Sequence, residues 1–140
     1  MKKAIPFLAI LLLAGCATSQ VAPENAKLAP KDRVTAYQTK FADSAMVTIT
    51  RDSGFVGGGC LATVFIDGAP VARLNAGEKA VFYIQPGQHI LGSELNGKGL
   101  CAYGESRQER EILINSDESR FYRIFTDANG GIDIKPTTLK

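Results

Sequence analysis

Leu61-Ala-Thr-Val-Phe-Ile-Asp67-Gly68-Ala-Pro70-Val-Ala-Arg-Leu74-Asn-Ala-Gly77-Glu-Lys79-Ala-Val-Phe-Tyr-Ile84-Gln-Pro86-Gly87-Gln-His89 is the stretch that decides the fold. Short apolar runs rich in Val, Ile, Phe and Tyr are cut by Asp67-Gly68-Ala69-Pro70, Asn75-Ala76-Gly77 and Pro86-Gly87, each with a residue that accepts positive φ or fixes a turn. Runs of this length suit strands and are too short for helices. Ala80, Phe82 and Ile84 alternate with their neighbours at period two, as a half-buried strand demands.

The same rhythm continues in both directions. Met46 to Arg51, Leu61 to Asp67, Val71 to Leu74, Lys79 to Ile84, His89 to Leu95, Glu109 to Ile114, Phe121 to Thr126 and Ile132 to Lys135 are candidate strands. Asn96-Gly97-Lys98-Gly99, Asn115-Ser116-Asp117 and Asp127-Ala128-Asn129-Gly130-Gly131 separate the later ones. Ile132 and Ile134 alternate with Asp133 and Lys135. Short strands with short connections predict an all-β domain over 44–140, a small antiparallel β-sandwich or barrel of about seven to eight strands.

Thr63-Val64-Phe65-Ile66-Asp67-Gly68-Ala69-Pro70-Val71, followed by Leu74, Gly77 and Ile84 through Pro86-Gly87-Gln88-His89, resembles the PEGA-like domains and a related family of small bacterial lipoproteins. In those domains a strand ends in an Asp-Gly turn and a later Pro-Gly-x-His turn starts the next strand. Arg51-Asp52-Ser53-Gly54-Phe55-Val56-Gly57 is similar to the opening of that lipoprotein family. The resemblance covers about Val47 to Leu95 and implies a small β-sandwich used as a non-catalytic envelope module. It transfers no active site.

Upstream lies a segment of a different kind. Met1-Lys2-Lys3 is a basic start, and Ala4 to Leu13 is an apolar run of roughly ten residues. A bilayer core needs about 20 apolar residues in a helix, so the run is an export leader rather than a span. It ends in Leu13-Ala14-Gly15-Cys16, which resembles the lipobox of bacterial lipoprotein precursors: a branched apolar residue, two small residues and the cysteine that is lipidated. Small side chains admit the peptidase to the bond after Gly15, and the Cys16 thiol takes a diacylglycerol before cleavage. Residues 1–15 are then a signal peptide and Cys16 the first residue of the mature chain. With about 0.8 kcal/mol per buried methylene, the two or three acyl chains expected on such a cysteine anchor the protein stably. Ala17 stands where such lipoproteins carry an aspartate for inner-membrane retention, which implies an outer-membrane protein facing the periplasm.

Charge excludes one class of partner. Lys2 and Lys3 belong to the leader, so sixteen Lys and Arg against fourteen Asp and Glu reduce to fourteen against fourteen. No basic excess remains to release counterions from a nucleic acid. Hydrophobic residues at 45% and charged residues at 21% suit a chain that buries a core. Residues 17–42, with Ser19, Gln20, Pro23, Glu24, Asn25, Pro30 and Lys31 and few large apolar side chains, are expected to behave as a tether, the lipidated N-terminus and tether together being 16–43. Such a segment spans about 25 to 30 Å. A short helix around Asp32 to Phe41 is an option, with Val34, Tyr37, Gln38 and Phe41 on one face.

Cys60 and Cys101 are left when Cys16 is set aside, an even number in a compartment where disulfides persist, and are expected to pair. A zinc site would need more ligands, and His89 is the one histidine in the chain. Neither a metal nor a cofactor is expected. Gly54-Phe55-Val56-Gly57-Gly58-Gly59 lacks the Gly-Lys-Ser/Thr ending of a phosphate loop and reads as a connection between strands. His89 with Asp67 or Glu94 as orienter and Ser93 as nucleophile lacks a nucleophile elbow. Glu105, Glu109 and Glu111 sit among Arg107 and Arg110 and read as a solvated strand entry rather than a glycosidase pair. The expectation is therefore not an enzyme but a binding or structural module contacting another envelope protein or the cell wall. An inhibitor of a cell-wall hydrolase is the alternative, because periplasmic lysozyme inhibitors include small, disulfide-linked, lipidated β-barrels, and Ser53-Gly54 resembles part of the loop they insert. Arg51 and Phe55 in the glycine-rich loop are the candidate contact residues, because Arg and aromatic side chains displayed by loops carry much interface energy.

Overall fold

The computed structural model describes residues 18–54, 57–99, 101 and 106–140. Among them nine strands form two facing sheets. One sheet has the order β1 (Lys27–Leu28), β5 (Glu78–Ile84), β2 (Ala45–Arg51), β8 (Ser119–Thr126) and β9 (Ile132–Pro136). The other has the order β4 (Ala69–Leu74), β3 (Leu61–Ile66), β6 (Gly87–Asn96) and β7 (Gln108–Ile114). The expected all-β sandwich is present, and its eight expected strands fall within two residues of their sequence-derived limits. β1 is an addition. Most pairs are antiparallel, but β2 runs parallel to β8 and β1 parallel to β5. A parallel pair is made by strands remote in sequence, so no local turn announces it.

Inward positions alternate along each strand. Val47 and Ile49, Phe82 and Ile84, and Ile124 and Ile134 from one sheet meet Val64 and Ile66, Leu74, Leu91 and Ile114 from the other, all almost fully buried. Asp67 at φ 52° and Gly68 at φ 79° form the tight β3–β4 turn, a backbone twist that Asp-Gly supplies at little cost. Pro70 lies on the edge strand β4, next to the register shift between Val64 and Phe65, where a missing ladder N–H is tolerated.

The expected tether is instead part of the domain. Residues 18–43 form a strap that crosses the outer face of the five-stranded sheet and then covers one open side of the sandwich. The outward Thr48 and Thr50 of β2 are buried beneath it, with Lys79 donating to the Pro23 carbonyl. Lys27 and Ala29 donate their amides to Gly77 and Lys79 on the edge of β5, and further along that edge Tyr83 donates to the Tyr37 carbonyl. Between these contacts Val34 bridges to Ala72, and Thr35 donates to the Val71 carbonyl on the edge of β4. No α-helix forms over Asp32 to Phe41; a 3-10 turn at Lys31–Arg33 leads into extended chain. Composition misjudged this segment because backbone amides and carbonyls, together with the small buried Pro23, Ala26 and Ala29, hold it.

On the opposite side Arg110 of β7 donates to the Ile134 carbonyl and pairs with Asp133, joining β7 to β9. The sandwich has two ends. Residues 52–54, 57–60, 75–77, 97–99, 101, 106–107 and 127–131 lie at the end bearing Cys60; turns 67–68, 85–86 and 115–118 and the C-terminal residues lie at the end bearing Asp67.

Candidate functional site

Arg51 does not present itself to a partner. It follows Val47 and Ile49 on the inward face of β2 and is 2% exposed. Its guanidinium donates to the carbonyls of Cys60, Leu74 (2.7 Å) and Gly57 (2.6 Å), closing the Cys60 end of the core. Burial pulls it down to about 10, opposed by the attraction of Glu78. Phe55, the other candidate contact residue, and Cys16 lie outside the described residues. Cys60 and Cys101 are joined in a disulfide with Cα atoms 5.5 Å apart, as their pairing in sequence anticipated. The Arg51 contacts and this bond grip the same loop, since Cys60 takes part in both.

Next to Arg51, Asp52 is an acceptor held inside the structure. Its carboxylate, with a side chain 1% exposed, pairs with Arg123 of β8. Burial lowers the Arg123 guanidinium. The pair lies where the strap starts, under Val21.

His89 is close to Asp67 but has no free nitrogen. Nδ1 lies 2.7 Å from Asp67 Oδ2 and Nε2 lies 2.8 Å from the Gln85 carbonyl, so both ring nitrogens face oxygen acceptors. Asp67 Oδ1 also accepts the Ile90 amide. Burial acts to raise the Asp67 carboxyl, but the hydrogen bonds from His89 and Ile90 outweigh it and hold the carboxyl below its ordinary range. The result is a clasp that fixes the β3–β4 turn to the start of β6. Ser93 is fully buried, with its hydroxyl lacking a partner, and Glu94 pairs with Arg107 at 3.6 Å. The sequence-suggested trio is therefore not assembled. Glu109 also meets Arg107, at 3.5 Å, while Glu105 lies outside the described residues. Among the described residues no three metal-ligating side chains cluster, and no helix is long and apolar enough to cross a membrane.

A surface concavity lies elsewhere, at the Asp67 end of the five-stranded sheet. A groove of about 460 Å³ is lined by Ser119, Arg120 and Phe121 of β8 and by Pro136, Thr137 and Lys140 at the C-terminus. It adjoins a second, of about 230 Å³, which shares Arg120 and Pro136 and adds Arg110, Tyr122 and Leu113. Leu113 is 68% exposed. Cations, hydroxyls, an aromatic ring and an exposed leucine line these two concavities. Arg120 is steadied by Glu118, whose carboxyl is held low by the Asn115 amide and by Arg120 itself. Sequence reasoning passed over this surface because its two walls are 15 or more residues apart along the chain, joined only by the β8–β9 pairing. The chain matches no protein-family model and no curated protein.

Proposed function

We propose that this protein is a non-catalytic, lipid-anchored module of the bacterial envelope, held through Cys16 in the outer membrane, facing the periplasm and contacting another envelope protein or the cell wall. The observation that carries the reading is how the buried and paired polar groups are used. Arg51 is occupied by three carbonyls, Asp52 by Arg123, and both nitrogens of His89 by acceptors. The Arg51 guanidinium, the Asp52 carboxylate and the His89 ring are committed to holding loops and turns. Leu13-Ala14-Gly15-Cys16 supplies the anchor in this reading, and the PEGA-like resemblance of Val47 to Leu95 agrees with a module that binds.

The contact surface in this proposal is the paired groove around Arg120, not the loop carrying Arg51. Its Arg120 and Lys140 suit carboxylates on a protein or on cell-wall peptides, and Phe121 and Leu113 suit apolar contact. Among the described residues, Ser53 pairs with Ser19, which ties down the start of the loop that an inhibitor would insert. Metabolic labelling with palmitate tests the anchor. Label is expected in the wild-type protein and absent from Cys16→Ser, which should accumulate as uncleaved precursor; label retained by Cys16→Ser would refute the assignment.

A further inference from the structure

Thr18 and Ser19, two and three residues after the lipidation cysteine, are already built into the sandwich. Ser19 forms an antiparallel bridge with Ser53, its amide donating to the Ser53 carbonyl at 2.6 Å and its carbonyl accepting from the Ser53 amide at 3.0 Å. The Thr18 hydroxyl donates to the Thr126 carbonyl at 3.1 Å, between the ends of β2 and β8. Gly54, at φ 155°, lets the two segments touch: a Cβ there would stand 2.9 Å from the Thr18 Cα. Two peptide units separate Cys16 from Thr18, so their Cα atoms are at most about 7 Å apart. The 25 or so residues expected to act as a tether follow Thr18, and they are paired to β4 and β5.

From this placement we infer that the Cys60 end of the sandwich lies directly against the lipid bilayer, with the Asp67 end and the Arg120 groove pointing away. The inference rests on the lipid-anchor reading of Cys16 and deepens it. A bilayer surface is the one occupant that the chain itself brings to this end, because the acyl chains on Cys16 cannot enter a membrane without drawing Thr18, Ser53 and Thr126 to the headgroups. Nine described glycines fall at this end, in 52–54, 57–60, 75–77, 97–99 and 127–131. Asp52, beside the Ser53 bridge, is paired with Arg123. The eight residues of β8 span about 25 Å, which sets the Asp67 end that far from the headgroups.

The test uses the full lipidated chain, purified from bacterial membranes and reconstituted in phosphatidylethanolamine–phosphatidylglycerol vesicles. A fluorophore is attached through Ala128→Cys at the Cys60 end or through Gln85→Cys at the Asp67 end, both exposed positions. Quenching by headgroup-labelled lipid is expected to be several-fold stronger at position 128 than at 85. An insert of about 20 Gly and Ser residues between Ala17 and Thr18, spanning about 25 Å, should remove most of that difference while vesicle flotation persists. Protein that floats with the vesicles but shows equal quenching at the two positions, or stronger quenching at 85, would overturn the inference and leave the anchor intact. Protein that does not float and lacks acyl mass on Cys16 would overturn the anchor reading, and this inference with it.

Discussion

Arg51 shows how a side chain's place in the strand outranks its type. Arginine is mostly exposed in folded proteins, and a position at the end of a strand beside a glycine-rich loop invites that reading. Yet Arg51 keeps step with Val47 and Ile49, and that parity sends it inward. The sequence carried the signal; what it did not carry was the set of carbonyls, from Gly57, Cys60 and Leu74, that make burial tolerable. Arg51→Met keeps the stem but orphans these acceptors, at about 1–3 kcal/mol for each one left buried and unpaired. Urea denaturation should show a loss of about 3 kcal/mol or more; a loss under about 1 kcal/mol would mean the carbonyls find water instead. Arg51→Lys should fall between, since one ammonium lacks the planar fork that serves several acceptors. Asp52→Asn leaves Arg123 without its charge partner, and a cost of about 3 kcal/mol is expected in the same assay, because one member of a largely buried pair is worse than none.

At the scale of elements, strands were legible and the strap was not. Period-two alternation and turn residues act locally, so Lys79 to Ile84 and Ile132 to Lys135 were visible in one dimension. The strap's contacts are backbone bonds to β4 and β5, which depend on what the rest of the chain places beside them. The same reason hid the Arg120 groove, whose walls meet only when β9 returns along β8. Replacing 27–38 by Gly and Ser should therefore lower the melting temperature and, by opening two strand edges, promote aggregation seen by light scattering. An unchanged, monomeric domain would restore the tether reading. Arg33 clasps the strap to Glu78 at 2.7 Å. Burial acts to raise the Glu78 carboxyl, but hydrogen bonds from Arg33 and the Asn75 amide prevail and hold it low. A carboxyl with a depressed folded pKa stabilises above its unfolded value of 4.5 and loses that contribution as pH falls through the lower folded value. Strap release should accordingly appear in acid, below about pH 4.5, as faster proteolysis within 18–43, and Glu78→Gln should already be cleaved faster at neutral pH and show less of the acid step.

The whole molecule is a small sandwich closed on every side by a different device: the strap over β4 and β5, Arg110 between β7 and β9, and the Cys60–Cys101 bond with Arg51 at one end. For a sequence separation of 41, the chain-entropy account assigns the disulfide about 4 kcal/mol. Reduction of the folded domain should then lower its melting temperature by roughly 10 to 25 °C by calorimetry, and a shift of only a few degrees would show that Arg51 and the strap suffice. The proposed anchor at Cys16 would place the sandwich in the envelope and set its orientation on the membrane. Mass spectrometry of the N-terminal peptide from protein extracted from bacterial membranes tests this most directly. The account predicts a chain that begins at Cys16 and carries a diacylglyceryl group on the thiol; a mature chain that begins at another residue, or a Cys16 without acyl mass, would contradict it.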